Sequence, residues 1–176
     1  MNAIPSLISL VGYRGTGKST VAKLLAAQLG WSSIDTDTEI ERRAEKSIKD
    51  IFADGGEAAF RDWETTVVRD VLQKNRIVAA LGGGAVLRPQ NRAAIRSGQV
   101  VWLTADSATI LQRVLSDPAS SARRPNLTTA GGMAEIEQLL AVREPLYREC
   151  ADCTIDTVGK TPEQVVGEIV CLLKLG

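Results

Sequence analysis

Apolar positions along this chain recur in two alternating rhythms. Nearly unbroken runs, Leu7-Ile8-Ser9-Leu10-Val11, Ile77-Val78-Ala79-Ala80-Leu81 and Val100-Val101-Trp102-Leu103, are separated by stretches where apolar residues return every three or four positions. The runs predict strands buried on both faces of a parallel sheet, and the stretches predict helices packed against them. Val21, Leu24, Leu25 and Leu29 mark a first helix that Gly30 is placed to stop. Trp31–Ile34 reads as a brief strand running into Asp35-Thr36-Asp37. From Glu39 to Asp54 the pattern is helical and highly charged, interrupted near Ser47 and ended by Gly55-Gly56. A further helix carries the stripe Phe60, Trp63, Val67, Val71 and Leu72, and another carries Ile110, Leu111, Val114 and Leu115. A helix resumes near Met133 with Ile136, Leu139 and Leu140, and Pro145 is expected to kink or restart it near Arg143. Cys153–Ile155 is a last short strand. Thr161-Pro162-Glu163-Gln164 then forms a capping pattern for a closing helix of Val165, Val166, Ile169, Leu172 and Leu173. Strand and helix alternate about five times, which predicts an α/β fold: a parallel sheet with helices on both faces.

The turn after the first run has its own chemistry. Gly12-Tyr13-Arg14-Gly15-Thr16-Gly17-Lys18-Ser19 fits G-x-x-x-x-G-K-[ST], the phosphate-binding loop. Its glycines let successive N–H groups turn toward phosphate oxygens, Lys18 reaches the β- and γ-phosphates, and the Ser19 hydroxyl ligates Mg²⁺. The following helix adds its partial positive charge. Gly12, Gly15, Thr16, Gly17, Lys18, Ser19 and Thr20 are therefore the candidate nucleotide-binding residues. The motif names a nucleoside triphosphate and leaves its use open.

Composition narrows that use. The chain has 176 residues, about one domain's worth, and no linker or internal repeat divides residues 1–176. Its 21 basic and 21 acidic residues cancel with no run of like charge, so neither a nucleic-acid nor a membrane surface is expected. No segment has the ~18 uninterrupted apolar residues of a bilayer span, and Met1–Ser6 lacks the basic start of a signal peptide, so a cytoplasmic location is expected. Nothing demands more than a monomer. Cys150, Cys153 and Cys171 are odd in number, and Cys150-Ala151-Asp152-Cys153 lies between a helical pattern and a strand, which favours a structural role. The chain contains no histidine, so any general base is a carboxylate, Lys, Tyr or Cys.

Carboxylates stand in the right places. Residues two apart on an extended chain project to one side, so Asp35 and Asp37 can both face a pocket at the end of the second strand. Asp and Thr equally suit a helix cap there, and Asp37 could start the next helix while pointing inward. Arg61 and Glu64 are neighbours on a helix surface, and their spacing alone favours an ordinary surface ion pair. Gly82-Gly83-Gly84 follows a strand, where three glycines are costly to order and suggest a ligand held by backbone N–H groups. Periodicity then vanishes from Ser116 to Gly132 around Arg123-Arg124-Pro125, the expected position of a mobile lid.

Taken together these residues resemble shikimate kinases. The resemblance rests on the phosphate loop, Asp35-x-Asp37, Phe60-Arg61-x-x-Glu64, Gly82-Gly83-Gly84, a lid with Arg-Pro, and Arg143-x-Pro145-Leu146-Tyr147, in that order along essentially the whole chain. It implies the nucleoside monophosphate kinase type of P-loop fold, a five-stranded parallel sheet, and transfer of the γ-phosphoryl group of ATP to the 3-hydroxyl of shikimate. It implies that Asp37 orients or deprotonates that hydroxyl and that Arg61 and Arg143 hold the substrate carboxylate. Gly82, Gly83 and Gly84 would line the acceptor, Glu64 would fix Arg61, and Lys18 with Arg124 would stabilise the transferring group. Register with Pro125 favours Arg124 over Arg123. Ser19 would ligate Mg²⁺ with Asp35 nearby through water, and Arg113 would pack on adenine close to Asp156, Thr157 and Lys160. The resemblance displaces the surface reading of Arg61 and Glu64. Two alternatives stay open: a kinase of the same fold acting on gluconate or a nucleoside monophosphate, and a non-catalytic nucleotide-binding module.

Overall fold

The computed structural model describes residues 6–117 and 132–175. Most of the expected lid, with Arg123, Arg124 and Pro125, lies outside the described residues. Five parallel strands, β1 (Leu7–Val11), β2 (Ser32–Asp35), β3 (Ile77–Ala80), β4 (Gln99–Thr104) and β5 (Cys153–Asp156), form one sheet in the order β2-β3-β1-β4-β5. Helices α1 (Lys18–Leu29), α2 (Thr36–Ala44), α3 (Ile48–Val71), α4 (Pro89–Ile95), α5 (Ser107–Ser116), α6 (Gly132–Cys150) and α7 (Pro162–Leu173) connect and cover it. Among the described residues no helix is long and apolar enough to cross a membrane.

The period of two in each strand divides the core. Leu7, Val11, Ile77, Ala79, Val100 and Trp102 face one side and pack on Ile40 of α2, Phe60, Val67 and Val71 of α3, and Ile95 of α4. Ile8, Leu10, Val78, Ala80, Val101, Leu103 and Ile155 face the other and meet Val21 and Leu25 of α1 and Val165 and Ile169 of α7. Each such Val, Leu, Ile or Phe side chain contributes roughly 1.5–3 kcal/mol when fully buried, and each alanine less. A smaller cluster of Tyr13, Ile110, Val114 and Ile136 joins the phosphate loop to α5 and α6. In an open parallel sheet ligands bind outside the carboxyl ends of the strands, where the direction of winding changes. Here that place is the end of β1: the chain leaves β1 for β2 on one side, and the later connection from β3 passes across β1 to β4 on the other.

Several boundaries follow the sequence closely. Gly30 closes α1 in the left-handed conformation with φ 64°, and Thr161 and Gln164 form a reciprocal capping box ahead of Pro162. Ser47 caps α3, and Gly56 breaks that helix with φ 68°, where the sequence predicted two helices. Three elements differ. The 3-10 turn Ala85–Leu87, of 3 residues, and helix α4, of 7, are too short to reveal a period. Pro145 neither restarts nor ends α6, which runs from Gly132 to Cys150. Proline removes one donor, yet Arg143, Tyr147 and Cys150 are buried on either side of it, and packing outweighs that loss.

Candidate active site

The phosphate loop is shaped by crowding from β4. At Gly12 φ is 141°, and a Cβ there would stand 2.3 Å from the Leu103 carbonyl oxygen, so only glycine fits. Thr16 Oγ1 and Lys18 Nζ both donate to the Tyr13 carbonyl, at 2.8 and 2.7 Å, closing the loop on itself. No side chain caps α1, whose first N–H groups are available to an anion beside Gly15, Gly17, Ser19 and Thr20.

Asp35 links this loop to β2. One carboxylate oxygen accepts a hydrogen bond from Ser19 Oγ; the other accepts the backbone N–H groups of Asp37 at 3.0 Å and Thr38 at 3.1 Å. Asp35, rather than Asp37, is therefore the cap of α2, which begins at Thr36. Strand alternation also does not apply as expected, because β2 ends at Asp35 and the first turn of α2 sets the placement of Asp37. Asp37 is half-buried. Ser19 and Asp35 supply hard oxygen atoms beside the phosphate loop, a donor set suited to Mg²⁺.

The glycine run lies between these carboxylates and two buried arginines. Arg61 is 5% exposed and Glu64 fully buried, so their 2.6 Å pair is no surface decoration, and the reading from spacing alone is corrected. The difference is large in energy: a surface pair is worth about 0–1 kcal/mol, whereas removing one partner of a buried pair costs about 3–5 kcal/mol. Arg61 Nε and Nη2 also donate to Glu57, an exposed carboxylate one turn earlier. A Cβ on Gly84 would stand 2.3 Å from Arg61 Nη1, so the guanidinium lies directly against the run. A Cβ on Gly83 would stand 3.6 Å from Arg143 Nη1, 3.6 Å from Arg14 N and 3.4 Å from the Gly12 carbonyl. Arg143 is 4% exposed, its Nε has no hydrogen-bond partner among the described residues, and its guanidinium lies over the Tyr13 ring at 5.7 Å. All three carbonyls of the run are used: Gly82 accepts from Ala85 N, Gly83 from Tyr147 Oη and Gly84 from Leu87 N, at 2.9, 2.5 and 3.0 Å. The N–H groups of Gly83 and Gly84 make no hydrogen bond among the described residues.

Arg113 on α5 spans the far side of the loop. It donates to the Gly15 carbonyl at 3.2 Å and to Thr157 Oγ1 and the Thr157 carbonyl, each at 2.9 Å. Thr157 in turn donates to the Thr104 carbonyl at the end of β4. Lys160, expected near the same loop, pairs with Glu168 of α7.

Several members of the site gave little signal in the sequence. Thr36, fully buried between the two aspartates, bonds to the glycine run. Arg14 of the phosphate loop pairs at 3.1 Å with Glu135, buried in the first turn of α6. Burial, above all, raises the Tyr13 hydroxyl pKa, so the ring beneath Arg143 stays neutral. Variable positions of the loop motif conceal Tyr13 and Arg14, and only the fold brings α6 to them.

A family model for shikimate kinase matches residues 14–174. The chain belongs to the shikimate kinase family. A shikimate kinase of Rhodopirellula baltica is 42% identical over 167 residues, 94% of this chain and 89% of that protein. The solved structure of shikimate kinase from Acinetobacter baumannii in complex with shikimate has a TM-score of 0.90 at 36% identity, covering 96% of this chain and 93% of that one. Shikimate kinase from Aquifex aeolicus has a TM-score of 0.81 at 34% identity, covering 96% of each chain. Membership in this family agrees with the P-loop kinase fold of the sheet and with ATP as phosphoryl donor.

Proposed function

We propose that this chain transfers the γ-phosphoryl group of ATP to the 3-hydroxyl of shikimate, and that the residues above divide the work as follows. Gly12, Gly15, Thr16, Gly17, Ser19 and Thr20 bind the phosphates, and Lys18 leaves the Tyr13 carbonyl to meet the transferring group. Arg61 and Arg143 hold the acceptor carboxylate, since planar guanidinium forks match carboxylate geometry. Glu64 orients Arg61. The N–H groups of Gly83 and Gly84 bind acceptor hydroxyls, with Gly82 setting their course. Asp37 aligns the attacking hydroxyl and accepts its proton. A loose transition state asks mainly for positioning and charge stabilisation, and Arg124, outside the described residues, is the proposed lid cation for it.

Ser19 would hold Mg²⁺ directly and Asp35 through water; bound there, the ion neutralises charge on the β- and γ-phosphates. Arg113 would pack on the adenine end of the nucleotide, a role supported by its bonds to both Gly15 and Thr157. Residues 1–176 act as one domain and as a monomer. The protein works in the cytoplasm, where free thiols such as Cys150, Cys153 and Cys171 persist.

One observation carries this reading: the same glycine run touches the phosphate loop and both buried arginines. A phosphoryl donor and an anionic acceptor therefore meet at one place. Asp37→Asn tests it: nucleotide affinity should stay near wild type while shikimate-dependent ADP release falls about tenfold or more, about 1.4 kcal/mol of transition-state stabilisation. Near-normal turnover in that variant would remove Asp37 from the reaction.

A further inference from the structure

The strand β2 ends one residue before the glycine run needs it. In the ladder between β2 and β3 the last register partners are Asp35 and Ala80. Beyond them the chain turns into α2 at Thr36, so β2 offers no backbone acceptor to the residues that follow β3. On the other side Leu81 N still donates to the Leu10 carbonyl at 3.0 Å. Gly82 is the first residue past both ladders, and it is buried, so its N–H needs a partner from elsewhere. Thr36 supplies one. Its hydroxyl accepts from Gly82 N at 3.0 Å and faces the Ala80 carbonyl at 3.4 Å.

A side chain here replaces a missing strand residue. The carbonyls of Gly82, Gly83 and Gly84 bond to Ala85, Tyr147 and Leu87, and the Gly82 N–H bonds to Thr36. These bonds fix the plane of each peptide in the run and leave the N–H groups of Gly83 and Gly84 to a ligand. Thr36 is also flanked by Asp35 and Asp37, in the first turn of α2. The same residue thus joins the turn that carries the proposed base to the backbone that carries the proposed hydroxyl donors.

We propose that Thr36 is a positioning residue for the acceptor: through Gly82 its hydroxyl sets where the Gly83 and Gly84 N–H groups stand relative to Asp37. Side-chain volume alone does not perform this role, because a buried Gly82 N–H facing a methyl group has no acceptor and the run must move to find one. Thr36 makes no hydrogen bond to the phosphate loop among the described residues, so the nucleotide site has no direct stake in it.

Thr36→Val keeps the shape and removes the hydroxyl; Thr36→Ser keeps the hydroxyl and removes the methyl. Steady-state kinetics should give Thr36→Ser an acceptor KM within about twofold of wild type. Thr36→Val should raise the acceptor KM about tenfold or more with the ATP KM moved less than about twofold. Acceptor KM unchanged in Thr36→Val, or both KM values raised alike, overturns the proposal. Should Thr36→Val fail to fold, Thr36→Ala and Thr36→Ser differ by one oxygen, and equal kinetics for that pair overturn it as well. The inference rests on the acceptor-binding role of Gly83 and Gly84. Wild-type enzyme assayed alongside separates the two: no shikimate-dependent turnover in wild type defeats that reading, whereas normal wild-type turnover with an unaffected Thr36→Val defeats only the positioning role.

Discussion

Arg61 and Gly84 form a unit that neither residue defines alone. The guanidinium is held by buried Glu64 at 2.6 Å and by exposed Glu57 at 3.0 Å, and it occupies the space where a Gly84 side chain would be. Gly84→Ala should therefore act as an arginine mutation, displacing the fork without touching the nucleotide. Both Gly84→Ala and Arg143→Ala should raise the shikimate KM about tenfold or more and leave the ATP KM within about twofold. Equal changes in both constants would make these residues structural instead. Glycine spacing made the run visible in the sequence, and the phosphate loop was visible in full. The reason for Gly84 was not, because the arginine that excludes a side chain there lies 23 positions earlier, and spacing alone placed that arginine on the surface. Thr36 was hidden differently: nothing in a lone threonine between aspartates says that it completes a strand.

Helices were legible where one apolar face met the sheet and illegible where polar bonds set the structure. The docking of α2 on α3 shows the second kind. Arg43 joins Glu39 at 2.7 Å to Asp70 at 2.7 Å, across a helix pair whose charged residues gave the sequence no direction. Hydrogen bonds from Arg42 first, and also from Arg43, hold the Glu39 carboxyl down at about 2, against 4.5 for an ordinary glutamate. Arg43, above all, likewise lowers the Asp70 pKa. A carboxyl that holds its charge more firmly when folded adds stability above its unfolded pKa, and that stability is lost as pH falls toward the folded value. Thermal melts should therefore fall between pH 4.5 and about 2, and Glu39→Gln should flatten part of that loss while lowering Tm near neutrality. Both groups are near solvent, so the effect is modest and shrinks in salt. Parallel pH profiles for the two proteins would show that Glu39 contributes nothing to it.

On the scale of the whole molecule, the order β2-β3-β1-β4-β5 gathers the site from residues far apart in the chain. The ends of β1, β2 and β3 present the phosphate loop, the carboxylates and the glycine run, while α3 and α6 bring Arg61 and Arg143 from the same side of the sheet as Tyr147. Apolar alternation foretold the layers, since buried parallel strands leave an unbroken mark. It could not foretell that Arg14 and Glu135 tie the nucleotide loop to the helix bearing Arg143, for that contact crosses 121 positions. We propose that this assembly phosphorylates an acceptor carrying both a carboxylate and hydroxyls. ADP release from ATP and Mg²⁺, with shikimate, gluconate and nucleoside monophosphates offered separately, tests it most directly. Turnover with shikimate and background rates with the others is the predicted result. Turnover with a different acceptor, or none with any, would contradict the assignment of Arg61, Arg143 and the glycine run to shikimate.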